Sequence, residues 1–271
     1  MTDGLHHRLG DITDLLRTAG EAIMDVYANE FEVTLKTDRS PVTLADTRSS
    51  EIISAGLMSM FKDVPVLSEE NDSIGYNGRR SWEYFWLLDP LDGTREFIKR
   101  NNEFCINLAL IHHHQPVAGF IYQPVDKTLY HSIGTGAVVK TDVSNRVETF
   151  TTRAFEKTEP LVIVTSRSHS NPSEKATIEA ITNQGYNVSV ASQGSAIKFC
   201  MMAEGKVHMY LRYGPTSEWD TAAGQALLHA IGGSVVDIEN RQPLVYNKEH
   251  LLNPSFAALS PSVQQLMDYI L

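Results

Sequence analysis

Asp89 and Asp92 stand three residues apart in the run Asp89-Pro90-Leu91-Asp92-Gly93-Thr94, and a second acidic pair, Glu69 and Glu70, lies upstream. Carboxylates brought to one place raise one another's pKa unless a cation compensates them, so a cluster assembled from both runs suits a metal ion. Oxygen-only donors point to magnesium or manganese. Magnesium is usually held by a few carboxylates plus substrate phosphate oxygens, which makes a phosphate the expected substrate. Pro90 stiffens the run and Gly93 lets the backbone approach a ligand. The spacing is not that of an EF-hand, which needs acids at alternate positions and a glutamate at position twelve. Taken alone, such an aspartate pair reads first as a solvated turn between a strand and a helix, and the second acidic pair is what favours the metal. A third carboxylate, Asp220, stands before the small residues Ala222, Ala223 and Gly224, and by itself reads as a helix N-cap.

The elements that must position these groups follow from apolar spacing. Ile12, Leu15, Leu16, Ala19, Ile23, Val26 and Tyr27 recur at helical intervals. A second helix follows Pro41, with Ile52, Ile53, Leu57, Met60 and Phe61 on its apolar face and Thr43 and Asp46 near its start. Val64 to Leu67 and Tyr84 to Leu88 read as short buried strands, each running into one of the acidic clusters, so pairing of the two would join the clusters. From Phe104 to about Lys140 short strands alternate with turn signals, predicting antiparallel sheet. After a polar stretch the pattern becomes strand and helix in alternation, from Leu161 to Ile231, which predicts an α/β second half. The expected organisation is two subdomains, residues 1–152 and 153–271, packed together.

Ser166, Arg167 and His169 follow a predicted strand and precede a helix, an arrangement suited either to an anion or to a plain helix-capping loop. His112 to His114 fall in a hairpin turn and read as exposed histidines, not as metal ligands. Trp82, Tyr84 and Trp86 read as core and rim, and Met201 and Met202 as part of a buried helix. Cys105 and Cys200 sit in apolar runs, which predicts buried reduced thiols.

A formal charge of -10 argues against a nucleic-acid coat or an anionic bilayer as partner. No apolar run approaches the ~18 residues of a membrane span. The N-terminal residues lack the layout of a signal peptide, so a cytoplasmic location is expected.

Glu69-Glu70, Asp89 to Thr94, and Trp219-Asp220 followed by Thr-Ala-Ala-Gly together resemble the signature motifs of the inositol monophosphatase superfamily of magnesium-dependent, lithium-sensitive phosphatases. More narrowly, PVLSEEN, YFWLLDPLDGTREFIKRNNEF, SRSH, LRYGPTSEWDTAAG and LLNPSF resemble its bacterial 3'(2'),5'-bisphosphate nucleotidase branch. The resemblance implies an α+β half followed by an α/β half in a layered αβαβα sugar-phosphatase fold. It implies removal of the 3'-phosphate of adenosine 3',5'-bisphosphate, with 3'-phosphoadenylyl sulfate as a further candidate, in support of sulfate assimilation.

By the same resemblance, Glu69, Asp89, the Leu91 carbonyl, Asp92 and Asp220 hold two or three magnesium ions, with manganese as a substitute. Asp46 and Thr94 stand near the attacking water, and Glu69 is a second candidate base. Glu69, Leu91, Asp92, Gly93, Thr94 and Asp220 contact the scissile phosphate region, while His169, Ser195, Lys198 and Arg212 approach the 5'-phosphate, ribose and adenine. Direct in-line hydrolysis without a phosphoenzyme is expected. A lysine at 198, where inositol phosphatases would use an acidic residue nearby for sugar hydroxyls, favours a second phosphate. Relatives also imply a monomer or homodimer, and peripheral association with the cytoplasmic face of the inner membrane. The competing readings are an inositol or fructose bisphosphate phosphatase, and a non-catalytic module that senses the nucleotide.

Overall fold

The computed structural model describes residues 2–36, 41–71, 74–166 and 171–270. Helices α1 (Thr2–Tyr27) and α2 (Leu44–Met60) pack together on one face of a seven-stranded sheet. Its strands run in chain order from β3 (Val66–Ser68) and β4 (Tyr84–Asp92) through β5 (Cys105–His112), β6 (Gln115–Gln123) and β7 (Thr128–Ile133) to β8 (Val138–Thr141) and β9 (Val147–Phe150). Only the β3–β4 pair is parallel. A small ribbon of β1 (Val33–Leu35) and β2 (Pro41–Thr43) precedes α2, and the short α3 (Tyr76–Arg79) lies between β3 and β4 in the chain.

Successive strand side chains point to opposite faces. Trp86, Leu88, Leu108, Leu110 and Phe120 therefore pack towards α1 and α2, while Phe85, Leu87, Ala109, Ile111 and Ile121 face the other side. Both faces are covered, which is why β5 is apolar from Leu108 to Ile111 without alternation.

On the second face lie α6 (Ile197–Ala203) and α7 (Glu218–Ala230), and beyond them a five-stranded sheet in the order β11 (Val188–Gln193), β10 (Leu161–Ser166), β12 (Met209–Arg212), β14 (Phe256–Leu259), β13 (Ser234–Asp237). β10, β11 and β12 are mutually parallel, as alternating strands and helices require, and β14 runs antiparallel to both its neighbours. α5 (Pro172–Asn183) and a 3-10 helix (Pro261–Tyr269) close the outer face with Ile181, Val263 and Leu266. The layers are αβαβα, as the family resemblance implies.

Small residues let the middle layer fit. A Cβ on Gly224 of α7 would lie 2.1 Å from the Phe199 ring of α6, and one on Gly119 of β6 would lie 2.4 Å from the Ala223 carbonyl. Several elements depart from the sequence expectation. The polar stretch contains β9, an edge strand with exposed Val147 and no buried residue, hence no apolar signal. β4 continues through the aspartate pair instead of stopping at Leu88. The two cysteines are buried and free.

Candidate active site

β4 passes between β3 and β5, so its C-terminal end gathers residues from both neighbours. The Glu69 backbone N–H donates to the Leu88 carbonyl at 3.0 Å, which extends the parallel pairing and brings Glu69 beside Asp89. On the other side Asp89 pairs with Asn107 and Asp92 with Cys105, with a shift of register between them. Pro90 has no N–H to give to a ladder, and it sits in that irregularity. The aspartate pair is therefore a bulged strand end and not the turn read from the sequence. The turn comes one residue later at Gly93, where φ is 95°. A Cβ there would lie 2.8 Å from the Glu103 carbonyl, so Gly93 is required for that close packing. The short α4 (Thr94–Ile98) follows at once.

Two helix starts supply further carboxylates in the same way. Thr43 caps α2 and Asp46 is its third residue; Asp46 Oδ2 accepts from the Thr43 N–H at 2.8 Å and the Thr43 hydroxyl at 2.7 Å. Ser217 caps α7, and Asp220 Oδ2 accepts the Ser217 N–H at 2.7 Å. Asp220 is thus the N3 member of a capping box and not the N-cap expected from sequence. In both helices one carboxylate oxygen closes the cap while the other remains for chemistry. Asp46 Oδ1 receives the Thr94 hydroxyl at 3.0 Å, a proton that the Leu91 carbonyl, 3.2 Å away, can also accept.

The three aspartates converge. Oxygens of Asp89, Asp92 and Asp220 lie no more than 4.8 Å apart, in a cavity of about 330 Å³ whose wall includes Glu69, Leu91, Thr94, Ser195, Lys198 and Arg212. Asp89 is buried; burial, then the charges of Glu69, Asp92 and Asp220, push its pKa far above the usual carboxylate range. Burial and then Asp92 and Glu69 push Asp220 up to about 8. Asp92 is raised by burial, opposed by Lys198, Asn107 and the Ala196 N–H, which donates to its Oδ2 at 2.5 Å. Asp46 is raised chiefly by burial. Acids that retain protons for want of a counter-charge are a donor set for a hard divalent cation. Cys105 Sγ lies 3.3 Å from Asn107 Oδ1 and 3.8 Å from Asp92, but burial and the Asp92 charge raise its pKa well above normal, so it remains a thiol and not a ligand.

Glu69 lines the cavity wall, but its Oε1 is held by Lys36 Nζ at 2.8 Å, and Glu70 binds the same ammonium at 2.6 Å. Burial works against the Lys36 charge; Glu69 and Glu70 outweigh it and hold the ammonium protonated. No motif marks Lys36 in the sequence, since its role depends on the β1–β2 ribbon bringing it back to the end of β3.

The second half adds cations. Lys198 is buried, its Nζ donating to the carbonyls of Ser195 at 2.6 Å and Gln193 at 3.2 Å, and burial lowers its pKa to about 8 against the pull of Asp92. Ser195 adopts a left-handed φ of 51°, and this turn aims the following Ala196 N–H at Asp92. Arg212 donates to the Pro215 carbonyl at 3.0 Å, while its buried Nε finds no partner among the described residues. Arg167 and His169 lie outside the described residues, and of Ser166 only the backbone is described.

Fold and site together define a protein class. A profile described as the inositol monophosphatase family matches residues 9–268, and the chain belongs to that family. Among its relatives, the 3'(2'),5'-bisphosphate nucleotidase CysQ of Escherichia coli strain K12 is 42% identical over 251 residues, covering 92% of this chain and 98% of the relative. The protein of the same description from Haemophilus influenzae is 34% identical over 252 residues, covering 92% and 91%. The crystal structure of CysQ from Bacteroides thetaiotaomicron superposes with a TM-score of 0.80 at 38% identity, covering 92% of this chain and 95% of that one.

Proposed function

We propose that this chain is a metal-dependent 3'(2'),5'-bisphosphate nucleotidase that hydrolyses the 3'-phosphate of adenosine 3',5'-bisphosphate to AMP and phosphate. The observation that carries the reading is one cavity in which Asp89, Asp92 and Asp220 face Lys198 and Arg212, in a chain 42% identical to the Escherichia coli nucleotidase. The carboxylates suit the ion and the cations suit a second phosphate.

Glu69, Asp89, the Leu91 carbonyl, Asp92 and Asp220 are the residues that would hold two or three ions. Magnesium, or manganese in its place, supplies positive charge to the phosphate oxygens and lowers the pKa of the attacking water. The Asp46–Thr94 pair positions that water. As it gives its proton to Thr94 Oγ1, the Thr94 proton passes to Asp46 Oδ1 over the 3.0 Å hydrogen bond. Asp46 Oδ2 is already occupied by two bonds from Thr43, which leaves Oδ1 for this transfer. Glu69 is the second candidate base. Water attacks phosphorus as the bond to the ribose 3'-oxygen breaks, and that oxygen takes its proton from a second water on the Asp220 side. Gly93 gives the loop its shape next to the phosphate. Ser195, Lys198, Arg212 and His169 address the 5'-phosphate, ribose and adenine.

Residues 1–152 thus carry most of the metal ligands and residues 153–271 the nucleotide-binding groups. Family resemblance extends the reading to lithium inhibition, to 3'-phosphoadenylyl sulfate as a substrate in sulfate assimilation, and to a cytoplasmic monomer or homodimer with peripheral association at the inner membrane. Among the described residues no helix is long and apolar enough to cross a membrane.

The deciding experiment measures magnesium-dependent phosphate release from adenosine 3',5'-bisphosphate, inositol monophosphate, fructose bisphosphate and NADP. The bisphosphate is expected to show the highest kcat/KM. A higher value for an inositol or fructose phosphate overturns the substrate, and release no greater than one phosphate per chain makes the protein a sensor.

A further inference from the structure

At the other end of the central sheet, half-buried His112 and exposed His113 of the β5–β6 hairpin meet a carboxylate that sequence position could not place. We propose that Glu83, His112 and His113 form a surface site for one borderline transition ion of the zinc, cobalt or nickel type. On the β4–β5 ladder Tyr84 pairs with His112, and Asp89 with Asn107. Five strand residues, about 17 Å, therefore separate this site from the aspartate cluster.

Glu83 Oε1 lies 3.6 Å from His112 Nε2 and 3.9 Å from His113 Nε2, and one donor atom from each of the three residues falls within 4.8 Å of the others. Donors about 2.0–2.2 Å from a tetrahedral zinc stand about 3.3–3.5 Å apart. The Glu83 oxygen is within a few tenths of an ångström of that spacing from both nitrogens. The backbone is itself fixed. The His113 N–H donates to the Glu83 carbonyl at 3.1 Å, tying the turn to the residue that bears the third ligand. The next residue, His114, has Nδ1 2.6 Å from the Tyr246 carbonyl and accepts the Tyr246 N–H at 3.1 Å, which anchors the turn to the second half of the chain. His112 stacks on Tyr84 with ring centroids 4.1 Å apart and planes 7° from parallel, so its imidazole is already oriented.

Two imidazoles and one carboxylate suit zinc, cobalt or nickel and disfavour magnesium, which prefers oxygen donors alone. The side chains of Glu83 and His113 are 64% and 69% exposed, so water completes the coordination and the ion has free access. The two sites thus select different ions by donor chemistry.

The test titrates zinc into the magnesium-loaded full chain by calorimetry, comparing wild type, the double variant His112→Ala/His113→Ala, and Glu83→Gln. Wild type is expected to take up one more zinc per chain than the double variant, and Glu83→Gln to weaken that event at least tenfold. Magnesium-dependent phosphatase activity is expected to be unchanged in both variants without zinc. Equal zinc stoichiometry and affinity in wild type and double variant overturns the site; an unchanged affinity in Glu83→Gln overturns the three-ligand set. Zinc-soaked wild-type crystals give a measurement free of any variant: an anomalous peak between the three side chains is expected, and its absence there overturns the proposal.

Discussion

Asp220→Asn separates the two tasks of one carboxylate. The asparagine carbonyl can still accept the Ser217 N–H that Asp220 Oδ2 takes at 2.7 Å, so the start of α7 is preserved. What disappears is one acid from a group spanning at most 4.8 Å. At an effective dielectric constant of about 20, two charges at that separation repel by about 3 kcal/mol. In the metal-free protein Asp220 avoids this by holding its proton up to about pH 8, whereas the unfolded chain releases it near its ordinary value of 3.8. Between those values the folded state binds more protons than the unfolded one, so metal-free stability falls as pH rises and levels off above about 8. The slope is up to about 1.4 kcal/mol per pH unit for one proton. The variant lacks this term. In EDTA at pH 8 it should be more stable than wild type by about 3 kcal/mol, raising Tm by about 5–10 °C. Saturating magnesium narrows the gap: a cation at one hundred times its Kd adds about 2.7 kcal/mol to wild type, and the variant, one charged ligand short, gains less. Calorimetric melts at pH 6, 7 and 8, in EDTA and in magnesium, measure both effects. A variant less stable than wild type in EDTA at pH 8, or an equal magnesium gain in both proteins, would refute the assignment of Asp220 to an ion-dependent cluster.

Asp89→Asn and Asp92→Asn should each remove magnesium binding and phosphate release together, and near-wild-type turnover in either sinks the scheme. Thr94→Ala breaks the proton path to Asp46 and should lower kcat by about 100-fold or more, with the magnesium dependence shifted less than about threefold as measured by initial rates. Lys198→Met removes a buried cation from the far wall of the cavity. It should raise KM for adenosine 3',5'-bisphosphate at least tenfold and leave a substrate lacking the 5'-phosphate unaffected; equal loss on both substrates would contradict a role at the second phosphate. Gly224→Ala places a methyl 2.1 Å from the Phe199 ring. Overpacking of this kind costs about 1–3 kcal/mol, to be read as a drop in Tm, and an unchanged Tm would mean that α6 and α7 can separate at no cost.

Legibility in the sequence followed the range of the physics. The helical spacing from Ile12 to Tyr27, the strand that starts at Tyr84, the antiparallel meander and the strand–helix alternation after Leu161 are local patterns, and the fold contains them all. β9 escaped because an edge strand with exposed Val147 buries too little to leave a pattern. The bulge at Pro90 reads as a turn in the sequence because a proline and a glycine close together signal both. Asp220 looked like an N-cap because an acid at the first or third position of a helix start serves the same orphan N–H groups.

The sequence by itself determined the chemistry available: carboxylates in an order and spacing that resemble one phosphatase family. Tertiary structure decided which of them meet. Asp220 is separated from Asp92 by more than a hundred residues, and only the docking of α7 against β6, permitted by Gly119, and against α6, permitted by Gly224, carries it to the other aspartates. Lys36 reaches Glu69 and Glu70 through a ribbon with little burial, and Glu83 reaches His112 and His113 through strand register alone. Charge interactions at a few ångströms carry no signature along the chain. They exist only once hydrophobic packing has brought the elements that bear them together.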